Sequence, residues 1–143
     1  MAELIVVTDK NAGKGHKITS TNFGEKAESF IVKYAPATEP RDKITTTGIR
    51  NLLDLVNKIY NRVHISNEEI LEEALISDIA YLKIKFSYAA GREPKIKRFL
   101  EQTYMIQLLD PIIKSRKKEE FLLYARYVES LIAYFKFYGG KDK

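Results

Sequence analysis

Cysteine is absent from this 143-residue chain, histidine occurs only twice, and no apolar run approaches the length of a membrane span. The first absence excludes disulfides, thiolate metal sites and cysteine nucleophiles, and a reducing cytoplasm is the compartment it fits. The lack of a long apolar run argues against a transmembrane helix. The opening "MAELIVVTDKNAGKG" has only a very short apolar run, no basic region before it and no small-residue cleavage site, so no secretory signal is expected. What is present is a 45% hydrophobic content, enough for one domain with a real core, and 30% charged residues with a net charge of +5. The excess is uneven: residues 1–43 carry +1, residues 44–92 balance, and residues 93–143 carry +4. A basic excess of this kind favours polyanionic partners in general.

Catalytic chemistry has little to stand on. His64 follows a helix in a turn, where a solvated or capping role is the simpler reading than general base or ligand, and His16 is the only other histidine. Glu68, Glu69, Glu72 and Glu73 have i, i+4 spacings suited to a divalent ion, but acids at a helix start are already explained by the helix dipole. Asp54 and Asp78 stand on separate helices without a partner for acid–base or two-metal chemistry. The "NAGKG" piece is not a phosphate-binding loop, because Thr8 stands where the first Gly is needed and Gly15 where Ser or Thr is needed. No catalytic residue, metal site or cofactor is therefore expected.

The pattern predicts an all-α fold: one small bundle of about five helices over residues 44–143, preceded by a loosely organised arm over residues 1–43. Only "ELIVV" hints at period-two alternation, and Glu25–Tyr34 is one modest helical candidate within the arm. In "TTTGIRNLLDLVNKIYNRV" a threonine can cap the first N–H groups, and Ile49, Leu52, Leu53, Val56, Tyr60 and Val63 form one apolar face. The next helix is predicted to open at "SNEE", with Ser66 and Glu69 at capping-box spacing, and to end at Gly91; apolar on several sides, it reads as the central helix. A third is predicted from Lys95 to Leu109, before Pro111, and a last from Glu119 to Tyr138, stopped by Gly139 and Gly140. On that last helix Phe121, Ala125, Val128, Ile132 and Phe135 share one face. Leu123, Tyr127, Tyr134 and Phe137 share another, which is expected to contact a second subunit because one small bundle does not easily cover both.

The basic residues make the clearest functional pattern. Arg50, Lys58 and Arg62 lie within a ~120° arc along roughly 18 Å of helix, a reach that suits successive phosphates, and two of the three are forked guanidiniums. A plain polar outer face, softened by Asp54, Asn57 and Asn61, is the competing explanation. Tyr81, Lys85, Tyr88 and Arg92, spaced by four, three and four, share a second strip, with Lys95, Lys97 and Arg98 just beyond a Gly-Arg-Glu-Pro turn. The tyrosines there can bury their rings or stack on bases.

Three ordered segments, "TTTGIRNLLDLVNKIYNRV", "YLKIKFSYAAGREPKIKRFL" and "FLLYARYVESLIAYFKFYGGKDK", together resemble the small helical subunit of the type III-A CRISPR interference complex, the Csm small-subunit family. The resemblance covers roughly residues 44–142, and no single motif in it is diagnostic. It implies a non-enzymatic subunit of an RNA-guided ribonucleoprotein in antiviral defence. Copies stack beside the backbone subunits and the large polymerase/nuclease subunit, lining the channel where target RNA pairs with guide RNA. By that resemblance Arg50, Lys58, Arg62 and Arg92 face the RNA; the residue pattern adds Lys85, Tyr88, Lys97 and Arg98. The rival readings are a helical DNA-binding regulator, which the glutamates opening the second helix disfavour, and a protein–protein adaptor without nucleic-acid contact.

Overall fold

The computed structural model describes residues 3–9, 14–37 and 43–138, with side chains described for residues 18–34 and 43–138. Its order is a hairpin of β1 (Glu3–Asp9) and β2 (Lys14–Thr19), then α1 (Phe23–Ala37), α2 (Thr46–Val63), α3 (Glu73–Arg92), α4 (Pro94–Thr103), α5 (Leu109–Ser115) and α6 (Lys118–Phe137). The strands pair antiparallel from Glu3 opposite Thr19 to Val7 opposite Gly15, with a register shift before Asp9. The all-α expectation holds for the body of the protein, to which the "ELIVV" alternation adds this one hairpin. Residues 11–13 of the NAGKG piece, residues 38–40 of the PATEP piece and the expected Gly139–Gly140 stop lie outside the described residues.

Burial places α6, not α3, at the centre. It packs against α1, α2, α5 and β1, and Phe121, Leu123, Tyr124, Ala125, Tyr127, Val128, Leu131 and Phe135 are all buried. Leu123 and Tyr127 of the second apolar face of α6 are thus covered within the chain, Tyr127 in part by Phe30 of α1. The segment expected to be a loose arm supplies Ala27, Phe30, Ile31 and Tyr34 to the core. Phe30 meets Tyr127 edge to face with ring centroids 6.4 Å apart, and Tyr34 packs on Phe99 at 5.3 Å and Phe135 at 6.4 Å. The Tyr34 hydroxyl also accepts a hydrogen bond from the Ile44 amide at 2.8 Å, joining α1 to the approach of α2.

The start of α2 follows the sequence pattern, whereas both ends of α3 differ from it. Thr45 caps α2 as expected, its Oγ1 accepting from Gly48 N–H at 3.0 Å. Ser66, however, caps nothing: its Oγ accepts from Glu68 N–H at 3.2 Å in a turn, and α3 begins only at Glu73. The intervening backbone is engaged elsewhere, Leu71 N–H donating to Arg116 C=O and Lys118 N–H to Glu69 C=O, both at 2.8 Å. Lys118 Nζ adds a bond to the Ser66 carbonyl. At the other end α3 runs through Gly91, with nothing within 4 Å of where a Cβ would stand. The break falls at Glu93, extended at φ −132° because Pro94 follows it.

The predicted third helix is two helices. Tyr104 turns left-handed at φ 59°, and the carbonyls freed there meet two buried phenols of α6. Tyr127 donates to Thr103 C=O at 2.6 Å and Tyr124 to Met105 C=O at 2.5 Å. Burial pushes both hydroxyls well above the usual tyrosine range. Pro111 then sits in the first turn of α5, where its missing N–H does no harm.

Candidate nucleic-acid interface

Helices α2 and α3 run antiparallel and leave a groove between their outer faces. At one end it is lined by Leu55, Lys58, Arg62, Asp78, Tyr81 and Lys85. At the other, still bordered by Leu55, it is lined by Gly48, Asn51, Tyr88, Arg92, Glu93 and Ile96. The helical period explains the gathering. Positions 51, 55, 58 and 62 step by three and four along α2, as do 78, 81, 85, 88 and 92 along α3, so each set occupies one stripe. Ile59 and Leu82 on the inner sides of those stripes are buried and hold the helices together beneath the groove.

Four cations therefore converge on a surface that carries two acids, Asp78 and Glu93. Arg62 pairs with Asp78, with both side chains about half exposed, so water screens the pair and its contribution to stability is small. Lys85 Nζ stands 4.8 Å from the centroid of the Tyr81 ring, and the Arg92 guanidinium stands 5.7 Å from that of Tyr88. Both tyrosines are exposed, at 55% and 67%.

Of the eight residues proposed from sequence as RNA contacts, the groove gathers Lys58, Arg62, Lys85, Tyr88 and Arg92. Arg50 is exposed on α2 but lies outside the groove lining. Lys97 lines a different depression with Lys83, Glu101 and Asp110, where Lys83 Nζ bonds Asp110 at 2.6 Å. Arg98 also lies outside the groove lining; burial raises the proton affinity of the Tyr34 hydroxyl, and the Ile44 amide and the Arg98 charge partly offset that rise. Asp78 and Asn51 are groove residues that the pattern along one helix could not reveal, since their role depends on which helices are neighbours.

The proposed subunit-contact residues divide as well. Leu123 and Tyr127 are buried inside this chain and Tyr134 is half-buried against the core, which corrects their assignment as a shared outer face; only Phe137, 76% exposed, stands clear. The neighbouring Tyr138 is itself held to α1, its hydroxyl donating to Glu28 Oε2 at 2.8 Å. Among the described residues no group of three or more His, Asp or Glu side chains is placed to hold a metal ion, and no helix is long and apolar enough to cross a membrane.

A small basic helical bundle, with a cationic groove rimmed by exposed tyrosines, is the class of protein that fold and surface define. Its sequence matches the family described as Csm2 Type III-A over residues 24–141, which takes in every helix except the first residue of α1 and leaves out the hairpin. The CRISPR system Cms protein Csm2 of Enterococcus italicus is 44% identical over 99 residues, 69% of this chain and 71% of that protein. Its namesake from Streptococcus thermophilus is 38% identical over 125 residues, 87% of this chain and 98% of that protein. The one from Mycobacterium tuberculosis is 31% identical over 126 residues, 88% and 98% respectively. The chain belongs to the Csm2 type III-A family.

Proposed function

We propose that this chain is a non-catalytic, cytoplasmic subunit of a type III-A CRISPR effector ribonucleoprotein, and that its α2–α3 groove holds RNA phosphates without reading sequence. The observation that carries this is the convergence of Lys58, Arg62, Lys85 and Arg92 from two helices on one groove. Cations at helical spacing along a groove suit a phosphodiester backbone, and base pairing between guide and target RNA supplies the sequence information that such contacts lack. Family membership supports assembly with the other subunits of such a complex and with copies of itself, for which Phe137 is the exposed apolar contact.

The test compares two sets of alanine variants in the assembled complex, Lys58, Arg62, Lys85 and Arg92 against Arg50 and Lys97. Each single-strand phosphate contact contributes about 0.7 to the slope of log affinity against log salt. The groove variant is expected to bind target RNA of any sequence more weakly, with a flattened slope, whereas the other variant keeps both. Equal losses from the two sets, or none from the groove set, would overturn the assignment of the groove.

A further inference from the structure

We propose that Tyr81 and Tyr88 are base-stacking platforms, so that the groove receives a single RNA strand with unpaired bases rather than the outside of a closed duplex. This rests on the phosphate-binding reading and adds what lies against the phosphates. The two rings stand on one strip of α3, and each is paired with a cation four residues on, Lys85 for Tyr81 and Arg92 for Tyr88. The same unit of ring and cation therefore occurs twice, seven residues or about 10.5 Å apart along the helix. Between them lies Ile84, 59% exposed, which makes the strip apolar where it separates the two units.

A duplex offers this surface only phosphates and sugars, because its base faces are stacked inside. Phosphates satisfy Lys85 and Arg92 but leave two rings and an isoleucine in water. A single strand uses all five side chains. Its phosphates meet the cations, its bases lie on the rings, and apolar ribose and base edges cover Ile84. The rings take any base, which agrees with a groove that does not read sequence.

The experiment uses the purified full-length chain with two labelled probes of equal length, oligouridine and a ribose-phosphate strand abasic at every position. Loss of a stacked base weakens binding at least about fivefold per ring. Tyr81→Ala with Tyr88→Ala is expected to reduce oligouridine affinity by that factor for each ring and to leave abasic affinity and both salt slopes unchanged. The corresponding Phe substitutions, which keep the ring, are expected to restore it. Circular dichroism checks that the variants fold. Equal binding of the two probes by the unaltered chain, or an equal loss on both in the alanine variant, overturns the stacking platforms while leaving the phosphate groove standing. Failure of the unaltered chain to bind either probe overturns the groove reading itself.

Discussion

Replacing Tyr127 by Phe removes one oxygen atom from the centre of the protein and nothing else. The ring is fully buried and keeps its edge-to-face contact with Phe30, so no cavity forms. What is lost is the 2.6 Å hydrogen bond to the carbonyl of Thr103, the last residue of α4, next to the left-handed turn at Tyr104. A buried acceptor deprived of its donor costs about 1–3 kcal/mol. For 143 residues, an unfolding entropy of roughly 0.3 kcal/mol per kelvin converts this to a melting temperature lower by about 3–10 °C. Thermal denaturation followed by far-ultraviolet circular dichroism measures it, with Tyr81→Phe as a surface control that should leave the midpoint in place. A Tyr127→Phe midpoint equal to that of the control would refute the idea that this phenol secures the α4–α5 break, and would mean that water or a shifted backbone replaces the bond.

The same phenols predict alkaline unfolding. With folded-state proton affinity raised by burial at Tyr124 and Tyr127, their contribution is fully present below the unfolded tyrosine value near 10 and is lost above it, at up to about 1.4 kcal/mol per pH unit for each. Urea midpoints measured from neutral pH to beyond that value should fall, and Tyr127→Phe should make the fall shallower; an unchanged pH dependence in that variant would sink the linkage. In the groove, Asp78→Asn releases Arg62 and removes one negative charge. RNA affinity should rise about fivefold at low salt, an effect of about 1 kcal/mol that fades as salt is added, and an equal or lower affinity would show that Arg62 does not reach the strand. Phe137→Glu should abolish self-association in sedimentation velocity while leaving the helical signal intact. Persistence of the assembly would place the contact elsewhere.

Helix periodicity makes much of the core legible in the sequence: Ile49, Leu52, Val56 and Val63 on α2, and Phe121, Ala125, Val128 and Phe135 on α6, are buried. The role of α1 was not legible in the same way. Its short apolar stripe among turn-forming residues resembles a surface helix, and only the unclaimed face of α6 makes it a core element. That one omission also explains the assignment of Leu123 and Tyr127 to a subunit contact, since a face with no visible cover within the chain calls for one outside it. Ser66 misled for a different reason. Capping spacing is a local signal, and here it lost to backbone pairing with residues some fifty positions away. The groove was half legible, because the stripes of α2 and α3 can be read separately while their juxtaposition, and the acid it brings against Arg62, belongs to tertiary structure.

The backbone clasp between Glu69–Leu71 and Arg116–Lys118 bears on how the molecule is made. As the chain leaves the ribosome, α2 and α3 emerge well before the segment that fastens the approach to α3, and α1 emerges long before the helix whose face it covers. Contacts so far apart in sequence form late and slowly. The faces of α1 and α2 that pack on α6 therefore stay uncovered until α6 has been synthesised.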